Sequence, residues 1–242
     1  MVSLADQIGI VTGASSGVGK AIAMELADRG VNLALLGRHL ATLETAAEQI
    51  RTGDIQLICY QLDLSDDRGI RSLSPRIRQD FGAVDILIHS AGVIALGPTA
   101  TASVEDFDKQ YTINIRAPFL LTQELLPMLR RCQGQVVFIN STLGLAARAG
   151  TGQYAATKHA LKAFADSLRD EVNQDGVRIL SIFLGRTATP MQALVHDMEG
   201  RVYQPERLIQ PSDVAVILIS ALTLPRSAEI TDLSMRPMLK PI

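Results

Sequence analysis

The chain has 242 residues, of which 47% are apolar and 20% charged, and its formal net charge is −2 at pH 7. This apolar content excludes an intrinsically disordered protein, and a chain of this length buries enough surface to fold without disulfides or a structural metal. The balanced charge, with no Lys/Arg run longer than a pair, gives no electrostatic footprint for nucleic acid. We therefore expect a globular protein that does not bind nucleic acid.

Membrane, export and metal-binding signals are lacking in this sequence. The longest apolar stretch, residues 214–224, is interrupted by Ser220 and Thr223 and falls short of the roughly 18 residues that a membrane span needs. The first residues lack the basic flank and apolar core of a secretory signal. Cys59 and Cys132 match no metal-ligand spacing, so we expect a cytoplasmic protein with no membrane association and no metal site.

Short apolar runs alternate along the chain with longer stretches in which apolar residues recur every three or four positions. The runs are typical of strands covered on both faces, and the longer stretches are typical of amphipathic helices. The predicted strands are residues 8–12, 32–36, 56–60, 84–88, 136–139 and 177–183, with a further strand at 230–235. The predicted helices are residues 19–29, 40–51, 67–81, 104–131, 153–174 and 212–224, the last one capped by Ser212.

This alternation predicts an α/β protein with a parallel sheet and right-handed crossovers. No repeat, low-complexity tract or linker interrupts it, so we expect residues 1–242 to form one domain. Residues 185–211 are the one long stretch without a predicted element, and loops of this length in compact domains are usually functional. We expect this loop to act as a lid that orders over bound ligands.

The first predicted strand runs into the segment Thr12-Gly-Ala-Ser-Ser-Gly-Val-Gly19, after which a helix begins. In a strand–turn–helix context, glycines let the backbone turn sharply and approach a phosphate, and the N-terminus of the following helix attracts negative charge. The alternative is a glycine turn that only packs the helix on the strand. Because residues 12–19 lie in the first strand–helix unit of the chain, a dinucleotide-binding turn is favoured over this alternative.

The end of the second predicted strand indicates which dinucleotide binds. In proteins that bind NAD an acidic residue holds the ribose 2′-hydroxyl at this position, whereas this chain has Gly37 followed by Arg38. The Arg38 guanidinium can form two parallel hydrogen bonds with a 2′-phosphate, and Ser15 and Ser16 can add hydroxyl contacts. We therefore predict NADP(H) as the cofactor, the alternative being that Arg38 is a solvated surface residue.

Tyr154 and Lys158 lie four residues apart at the start of a predicted helix, so their side chains share one face. The ammonium group favours the phenolate, and we expect it to lower the pKa of Tyr154 toward the range of an acid–base catalyst. A pair of this kind also occurs by chance, so alone it does not decide the chemistry.

The glycine pattern, Asn114, Ser141 and the Tyr154/Lys158 pair follow one another as in the short-chain dehydrogenase/reductase family, which the chain resembles over essentially its whole length. This resemblance implies a three-layer αβα Rossmann fold with a doubly wound, seven-stranded parallel sheet of strand order 3-2-1-4-5-6-7. It also implies a homotetramer or homodimer.

The resemblance further implies a role for each motif residue. Tyr154 is the general acid/base at the substrate oxygen, and Ser141 holds and polarises the carbonyl. Lys158 lowers the pKa of the tyrosine and bonds the nicotinamide ribose. Asn114 anchors a water in a proton relay, and Asp63 meets the adenine. Taken singly, Ser141, Asn114 and Asp63 have structural alternatives as a strand-end turn residue, a helix-interior amide and a helix cap respectively.

Together these inferences define a predicted site. The catalytic residues are Asn114, Ser141, Tyr154 and Lys158. The cofactor-binding residues are Gly13, Ser15, Ser16, Gly17, Val18, Gly19, Arg38, Asp63, Leu64, Ser90, Ala91, Gly92, Tyr154, Lys158, Gly185, Thr187 and Thr189. The substrate-pocket residues are Leu143, Arg148, Arg186 and Met191, in a mostly apolar pocket whose two arginines could reach a carboxylate.

Two segments depart from the family's pattern. Asn-Asn-Ala-Gly usually follows the fourth strand, whereas this chain has His89-Ser-Ala-Gly92. The change removes an amide at Ser90, and we expect His89 to be an interior residue rather than a catalyst. Pro-Gly usually follows the sixth strand, whereas this chain has Leu184-Gly185, and losing the proline is expected to loosen the start of the following loop.

The predicted function is NADP(H)-dependent interconversion of a carbonyl and a secondary alcohol by hydride transfer, on a small hydroxy acid, alcohol or ketone. One alternative is a reductase of 3-oxoacyl groups on acyl carrier protein, whose acidic surface Arg130 and Arg131 fit loosely, while the acidic residues nearby do not. Another alternative is an NADP(H)-binding sensor or scaffold without chemistry, which the presence of all four catalytic positions disfavours. Function here has to be argued from the site rather than from the fold.

Overall fold

The computed structural model describes residues 2–239, and its centre is a parallel sheet. The strands are β1 (Ile8–Thr12), β2 (Asn32–Gly37), β3 (Leu57–Gln61), β4 (Ile86–His89), β5 (Gln135–Ser141), β6 (Arg178–Leu184) and β7 (Asp232–Met235). Their order across the sheet is β3-β2-β1-β4-β5-β6-β7, which confirms the predicted topology. Each strand begins and ends within two residues of its predicted bounds.

Eight α-helices connect and cover the strands within the described residues. They are α1 (Gly17–Ala27), α2 (Leu40–Ile50), α3 (Asp67–Asp80), α4 (Val104–Tyr111), α5 (Ala117–Cys132), α6 (Gly152–Val172), α7 (Pro190–Met198) and α8 (Pro211–Leu222). Between residues 2 and 239, no helix has both the length and the hydropathy that crossing a bilayer requires.

Helices cover both faces of the sheet because successive strand residues point to opposite faces. In β1, Val11 joins a buried cluster that includes Ile22 of α1 and Leu218 of α8. Its neighbour Ile10 joins a second cluster, which includes Leu125 of α5. The strands therefore read as continuous apolar runs, and the three-layer αβα Rossmann fold predicted from the sequence is confirmed.

The long helix predicted at residues 104–131 is wrong as a single element. A π-helical turn, Thr112–Arg116, separates α4 from α5. The backbone N–H of Ala117 donates to the carbonyl oxygen of Thr112, five residues back, so one extra residue is accommodated in the turn. Apolar spacing does not distinguish such a turn from regular helix, and turns of this kind often occur at functional sites.

Two other predictions near the carboxyl end of the chain are also wrong. Ser212 lies inside α8 rather than at its cap, because Pro211, with its preset φ and no N–H, occupies the first helical position. Residues 185–211 are not irregular, since they contain α7 and a 3₁₀ turn, Pro205–Arg207. At the start of α7 the hydroxyl of Thr189 accepts a 3.2 Å hydrogen bond from the backbone N–H of Gln192.

Candidate active site

A cavity of about 1530 Å³ opens where the carboxyl ends of the strands meet. Crevices at this edge of a doubly wound sheet are the usual ligand sites of α/β proteins. The cavity is larger than most single-ligand pockets, and a dinucleotide together with a substrate fits its size. Its lining contains every residue of the predicted site except Asn114.

The glycine turn after β1 is shaped by close backbone approaches. Gly13 has φ +69°, and a Cβ on it would lie 2.9 Å from the Cα of Ala91. A Cβ on Gly19 would lie 2.5 Å from the carbonyl oxygen of Gly13. Ser16 is the N-cap residue of α1, and no side chain forms a capping hydrogen bond there. The first N–H groups of α1 have no partner within the helix and are therefore available to a ligand in the cavity. This arrangement fits a pyrophosphate group.

The backbone after β4 is held by Thr12, a residue the sequence analysis did not single out. The Thr12 hydroxyl accepts hydrogen bonds from the N–H groups of Ser90, at 3.0 Å, and Ala91, at 3.1 Å. It donates to the carbonyl oxygen of Ile88 at 3.3 Å. The loss of an amide at Ser90 therefore does not leave this segment unsupported. A hydroxyl residue directly before the first glycine was the signal available in the sequence.

Arg38 and Asp63 lie on the wall at the far end of the cavity, beyond β2 and β3. Arg38 is exposed, and its Nε lies 3.2 Å from Nε2 of His39. Among the ion pairs of residues 2–239, none includes Arg38. The Asp63 carboxylate accepts hydrogen bonds from the backbone and hydroxyl of Ser65, and these lower the pKa of Asp63. Asp66, not Asp63, caps α3.

Tyr154 and Lys158 project from the first turns of α6 and are both buried, at 8% and 5% exposure. The Lys158 amine lies 5.8 Å from the centre of the Tyr154 ring. It donates a 3.0 Å hydrogen bond to the carbonyl oxygen of Ile139 in β5. Ser141, at the end of β5, accepts a 3.1 Å hydrogen bond from the N–H of Leu143. The three predicted catalytic side chains thus meet where β5 faces α6.

The expectation that Lys158 lowers the pKa of Tyr154 is wrong for the protein in this state. Burial raises the pKa of Tyr154 to about 12, and a hydrogen bond with Ser141 opposes this only in part. Burial also lowers the pKa of Lys158 to about 8. Removing both groups from water disfavours their charged forms more than the ammonium favours the phenolate across the separation observed. At neutral pH the tyrosine is therefore a neutral proton donor beside a charged lysine.

Asn140 joins Ser141 to Lys158, and it was not among the residues predicted from the sequence. Its amide nitrogen donates a 3.1 Å hydrogen bond to the carbonyl oxygen of Lys158, and its oxygen accepts a 2.7 Å bond from the N–H of Ser141. Gly144 packs against the same groups, since a Cβ there would lie 2.8 Å from both the Asn140 oxygen and the Lys158 carbonyl oxygen. The signal available in the sequence was an Asn between the apolar run of residues 136–139 and the predicted Ser141.

Asn114 does not line the cavity. It lies in the π-helical turn, and its side chain is fully engaged. The amide oxygen accepts a 2.9 Å bond from the N–H of Val93, and the amide nitrogen donates to the carbonyl oxygen of Val93 and to the hydroxyl of Thr157. This is the structural alternative weighed for Asn114, a helix-interior amide that binds backbone. The side chain anchors the segment after Gly92 and is not exposed to a ligand.

His89 is an interior residue, as expected. It is 3% exposed, its Nε2 lies 2.8 Å from the hydroxyl of Thr122, and its ring stacks on Phe138 at a centroid distance of 4.9 Å. Burial lowers the pKa of His89 to about 3, so the imidazole is neutral at physiological pH. It supports β4 and β5 and does not reach the cavity lining.

On the substrate side, Arg148 is exposed and Arg186 is engaged with an acid. One guanidinium nitrogen of Arg186, Nη2, lies 2.7 Å from each carboxylate oxygen of Glu199, just after α7. A second cation lies near this carboxylate, since Nε of Arg201 is 3.6 Å from Oε2 of Glu199. Arg186 therefore lines the cavity as predicted, with one guanidinium nitrogen already bonded to a carboxylate of the protein. Leu143 and Met191 contribute apolar lining as predicted.

The loop after β6 is tied down at its start despite the missing proline. The N–H of Gly185 donates a 2.8 Å hydrogen bond to the carbonyl oxygen of Met235, which prolongs the pairing of β6 with β7. The segment that follows β7 then joins the cavity lining through Arg236, Pro237 and Met238. Between residues 2 and 239, no cluster of His, Cys, Asp and Glu side chains is arranged to hold a metal ion.

A sequence model of the short chain dehydrogenase family matches residues 7–200. The chain belongs to the short-chain dehydrogenase family. Within this family, an uncharacterized short-chain type dehydrogenase/reductase of Sinorhizobium fredii is 35% identical over 240 residues, which cover 96% of this chain and 91% of that protein.

Solved structures of a short chain dehydrogenase and of an alcohol dehydrogenase share the fold. The short chain dehydrogenase from Shigella flexneri, complexed with NADP, is 32% identical, has a TM-score of 0.86 and covers 96% of this chain and 98% of that one. The alcohol dehydrogenase from the archaeon Thermococcus sibiricus, complexed with 5-hydroxy-NADP, is 25% identical, has a TM-score of 0.88 and covers 98% and 99% of the two chains. Because it belongs to this family, the protein is an oxidoreductase.

Proposed function

We propose that this protein is an NADP(H)-dependent oxidoreductase that interconverts a carbonyl and a secondary alcohol, with Tyr154 as the general acid/base. The observation that carries the proposal is the meeting of Ser141, Tyr154 and Lys158 on the wall of a cavity whose far end holds the glycine turn and Arg38. We propose a small hydroxy acid, alcohol or ketone as the substrate.

The residues of the cavity fit a nicotinamide dinucleotide phosphate. The glycine turn would hold the pyrophosphate, since side chains at Gly13 or Gly19 would fill the space next to the uncapped N-terminus of α1. Arg38, exposed and outside any described ion pair, would hold the 2′-phosphate. Two structural relatives that contain NADP or an NADP derivative support this choice over NAD. Bound cofactor would supply or accept the hydride.

The protein's own residues supply the proton and the hydrogen bonds. Tyr154 is protonated at neutral pH because burial holds its pKa at about 12, and it can donate its phenolic proton to the oxygen of a carbonyl undergoing reduction. Ser141, bonded to the same tyrosine, would hold that oxygen in place. The ammonium of Lys158 would stabilise the phenolate that remains and, with the donors not used on Ile139, bind ribose hydroxyls.

Asn114 and Asn140 would act as positioning residues in this scheme. Asn114 fixes the backbone of Val93, and Asn140 fixes Ser141 relative to Lys158. A displacement of about 1 Å at such a site costs a large factor in rate, so these amides affect catalysis without touching the substrate. The relay role expected for the Asn114 side chain is not part of the proposal.

The two alternative functions are less well supported. A sensor or scaffold has no need for a buried lysine, yet Lys158 is buried beside Tyr154. A carrier-protein reductase needs free cations at its docking surface; of the two candidates, Arg130 lies 2.7 Å from Asp175, which leaves the exposed Arg131 as a single cation there. For association, we propose a homodimer or homotetramer, which the exposed aromatic side chains Phe107 and Phe119 would favour. We propose the cytoplasm as its location.

Binding and turnover test the proposal separately. The purified protein is titrated with NADPH and NADH, and NADPH consumption is then followed over a panel of small ketones, aldehydes and 2-oxo acids. We expect tighter binding of NADPH and consumption with at least one carbonyl class. Binding without consumption of any carbonyl or oxidation of any matching alcohol would favour a sensor. Equal affinity for both cofactors would contradict the NADP(H) assignment.

A further inference from the structure

We propose that Arg186 binds an oxyanion group, a carboxylate or a phosphate, on the carbonyl substrate. This inference rests on the proposed function and names the substrate class of that same site. It follows from the position of Arg186, the state of its guanidinium and the balance of charge in the cavity.

The backbone around Arg186 places this residue on the substrate side of the catalytic group. Leu184 pairs in register with Ser141 across β6 and β5, and Arg186 follows two residues later. The bond from Gly185 to Met235 fixes the chain before Arg186, and the carbonyl oxygen of Arg186 accepts a 3.1 Å hydrogen bond from the N–H of Ile209. With strands about 5 Å apart, the α-carbon of Arg186 lies within roughly 10 Å of that of Ser141.

The guanidinium of Arg186 has unused hydrogen-bonding capacity. Nη2 makes both contacts with Glu199, whereas the buried Nη1 has no hydrogen-bond partner among the described residues. A buried donor without a partner is costly, and Arg cannot lose its proton to relieve that cost. An oxyanion can accept a charge-assisted hydrogen bond from Nη1 while Nη2 keeps its contacts with Glu199.

The charges around this position favour an anionic ligand. The described lining of the cavity contains seven Lys and Arg side chains and two carboxylates. One carboxylate, Asp63, lies at the end with Arg38, so Glu199 alone faces the cations near the substrate. Glu199 interacts with both Arg186 and Arg201. This leaves an excess of positive charge on the substrate side, where Glu199 acts as an internal competitor for a bound anion.

The first experiment measures binding without turnover. The protein saturated with NADP⁺ is titrated calorimetrically with butyrate, with butyramide, which has the same shape but no charge, and with inorganic phosphate. We expect at least one anion to bind about 10-fold or more tightly than butyramide, as a charge-assisted contact predicts. Tighter binding of butyrate indicates a carboxylate substrate, and tighter binding of phosphate indicates a phosphorylated one. Equal binding of all three would overturn the proposal.

Two variants with opposite expected effects separate ligand binding from a structural role. Arg186→Met should weaken binding of the preferred anion by about 10- to 100-fold. Glu199→Gln should strengthen it by about two- to five-fold, because the internal competitor is removed while Arg186 remains. If the Arg186–Glu199 pair only fastens α7, both variants should weaken binding, and that result would contradict the proposal.

Arg71→Met is the matched control, since Arg71 also pairs with a carboxylate, that of Glu124 at 2.9 Å, but does not line the cavity. It should change anion affinity by less than about two-fold. Arg148 lines the cavity but is exposed, and a larger loss with Arg148→Met than with Arg186→Met would move the anion site to Arg148 and overturn the assignment. The assignment to Arg186 would also be overturned if Arg186→Met lost affinity for NADPH but kept its affinity for the anion.

These results are independent of the proposed chemistry. A Tyr154→Phe variant that stays active would contradict the proposed function while leaving the titrations unaffected. If the wild-type protein bound neither butyrate nor phosphate more tightly than butyramide, the anion site would be contradicted while turnover of neutral carbonyls stayed intact.

Discussion

The amine of Lys158 donates a 3.0 Å hydrogen bond to the carbonyl oxygen of Ile139, so a strand residue and not a carboxylate holds this buried cation. No acidic partner for Lys158 occurs among the ion pairs of residues 2–239. The charge of the lysine is therefore sensitive to its surroundings, and its pKa, lowered by burial to about 8, falls close to the working range of the protein.

This sensitivity predicts a pH dependence for the reductive direction. Lys158 is charged below pH about 8 and neutral above it, so carbonyl reduction should slow as pH rises through that value. Tyr154, with a pKa of about 12, stays protonated throughout. In Lys158→Arg, whose cation persists to much higher pH, the decline near pH 8 should disappear even if the overall rate is lower. An unchanged decline in that variant would assign it to another group.

Removing the phenolic hydroxyl should abolish most turnover. Tyr154→Phe keeps the ring and its packing but removes the proton donor, so kcat should fall by about 10²- to 10⁴-fold. NADPH affinity should change little. The matched control is Tyr111→Phe, the same change at a side chain that is 49% exposed, which should leave kcat unaltered. Substantial activity in Tyr154→Phe would exclude the tyrosine as the general acid.

Arg38 should determine the preference for NADPH. Arg38→Ala removes the partner of the 2′-phosphate, a loss of about 1.5–3 kcal/mol, or roughly 10- to 150-fold in NADPH affinity. NADH affinity should hardly change. Arg78→Ala, an exposed arginine outside the cavity, serves as control. Titrations are run at fixed salt because the contact is ionic. Equal weakening of both cofactors would show that Arg38 does not contact the phosphate.

Adding an acid at Gly37 should carry the preference further toward NADH. The backbone of Gly37 is not in the left-handed region, and a Cβ there would lie 3.2 Å from a terminal methyl of Leu43, a contact that a small side-chain movement relieves. The double variant Gly37→Asp, Arg38→Ala should therefore fold and bind NADH more tightly than NADPH. Retained preference for NADPH in the double variant would place the 2′-phosphate elsewhere.

His89 should make the fold sensitive to acid. Its pKa in the folded protein is about 3, against an ordinary value of 6.5, so the unfolded chain binds the extra proton as pH falls. The free energy of unfolding should decrease by about 1.4 kcal/mol per pH unit from this residue between pH 6.5 and about 3. The difference in pH slope between wild type and His89→Asn, measured by denaturant unfolding, isolates this contribution. Parallel slopes would contradict it.

The inner strands β1, β2, β4, β5 and β6 could be predicted from the sequence because they are largely buried apolar runs, whereas the edge strand β7 is half exposed and its signal is weaker. The bounds of α1, α2, α3, α6 and α8 were also predicted within two residues, whereas the break between α4 and α5 and the helix α7 were not, because apolar spacing does not encode a π-helical turn or a short helix in a loop. The proximity of Tyr154 and Lys158 could be predicted because their spacing within one helix places both side chains on one face.

Hydrogen bonds between side chains and residues far away in the sequence could not be predicted. The bonds from Asn140 to Lys158, from Thr12 to Ser90 and Ala91, and from Asn114 to Val93 join residues that only the fold brings together. The raised pKa of Tyr154 could not be predicted either, because it depends on how deeply α6 packs against β5. Sequence spacing shows which groups can meet, whereas burial decides their charge.

The path of the chain after β7 has a practical consequence for handling the protein. The N–H of Val2 bonds to the carbonyl oxygen of Thr223 just after α8, at the edge of the sheet opposite the cavity, where Leu222 also contacts Gln135 at the start of β5. Met238, in contrast, lines the cavity. A bulky label attached at position 238 would therefore lie at the opening and compete with ligands, whereas one attached at position 2 would leave the opening clear for assays.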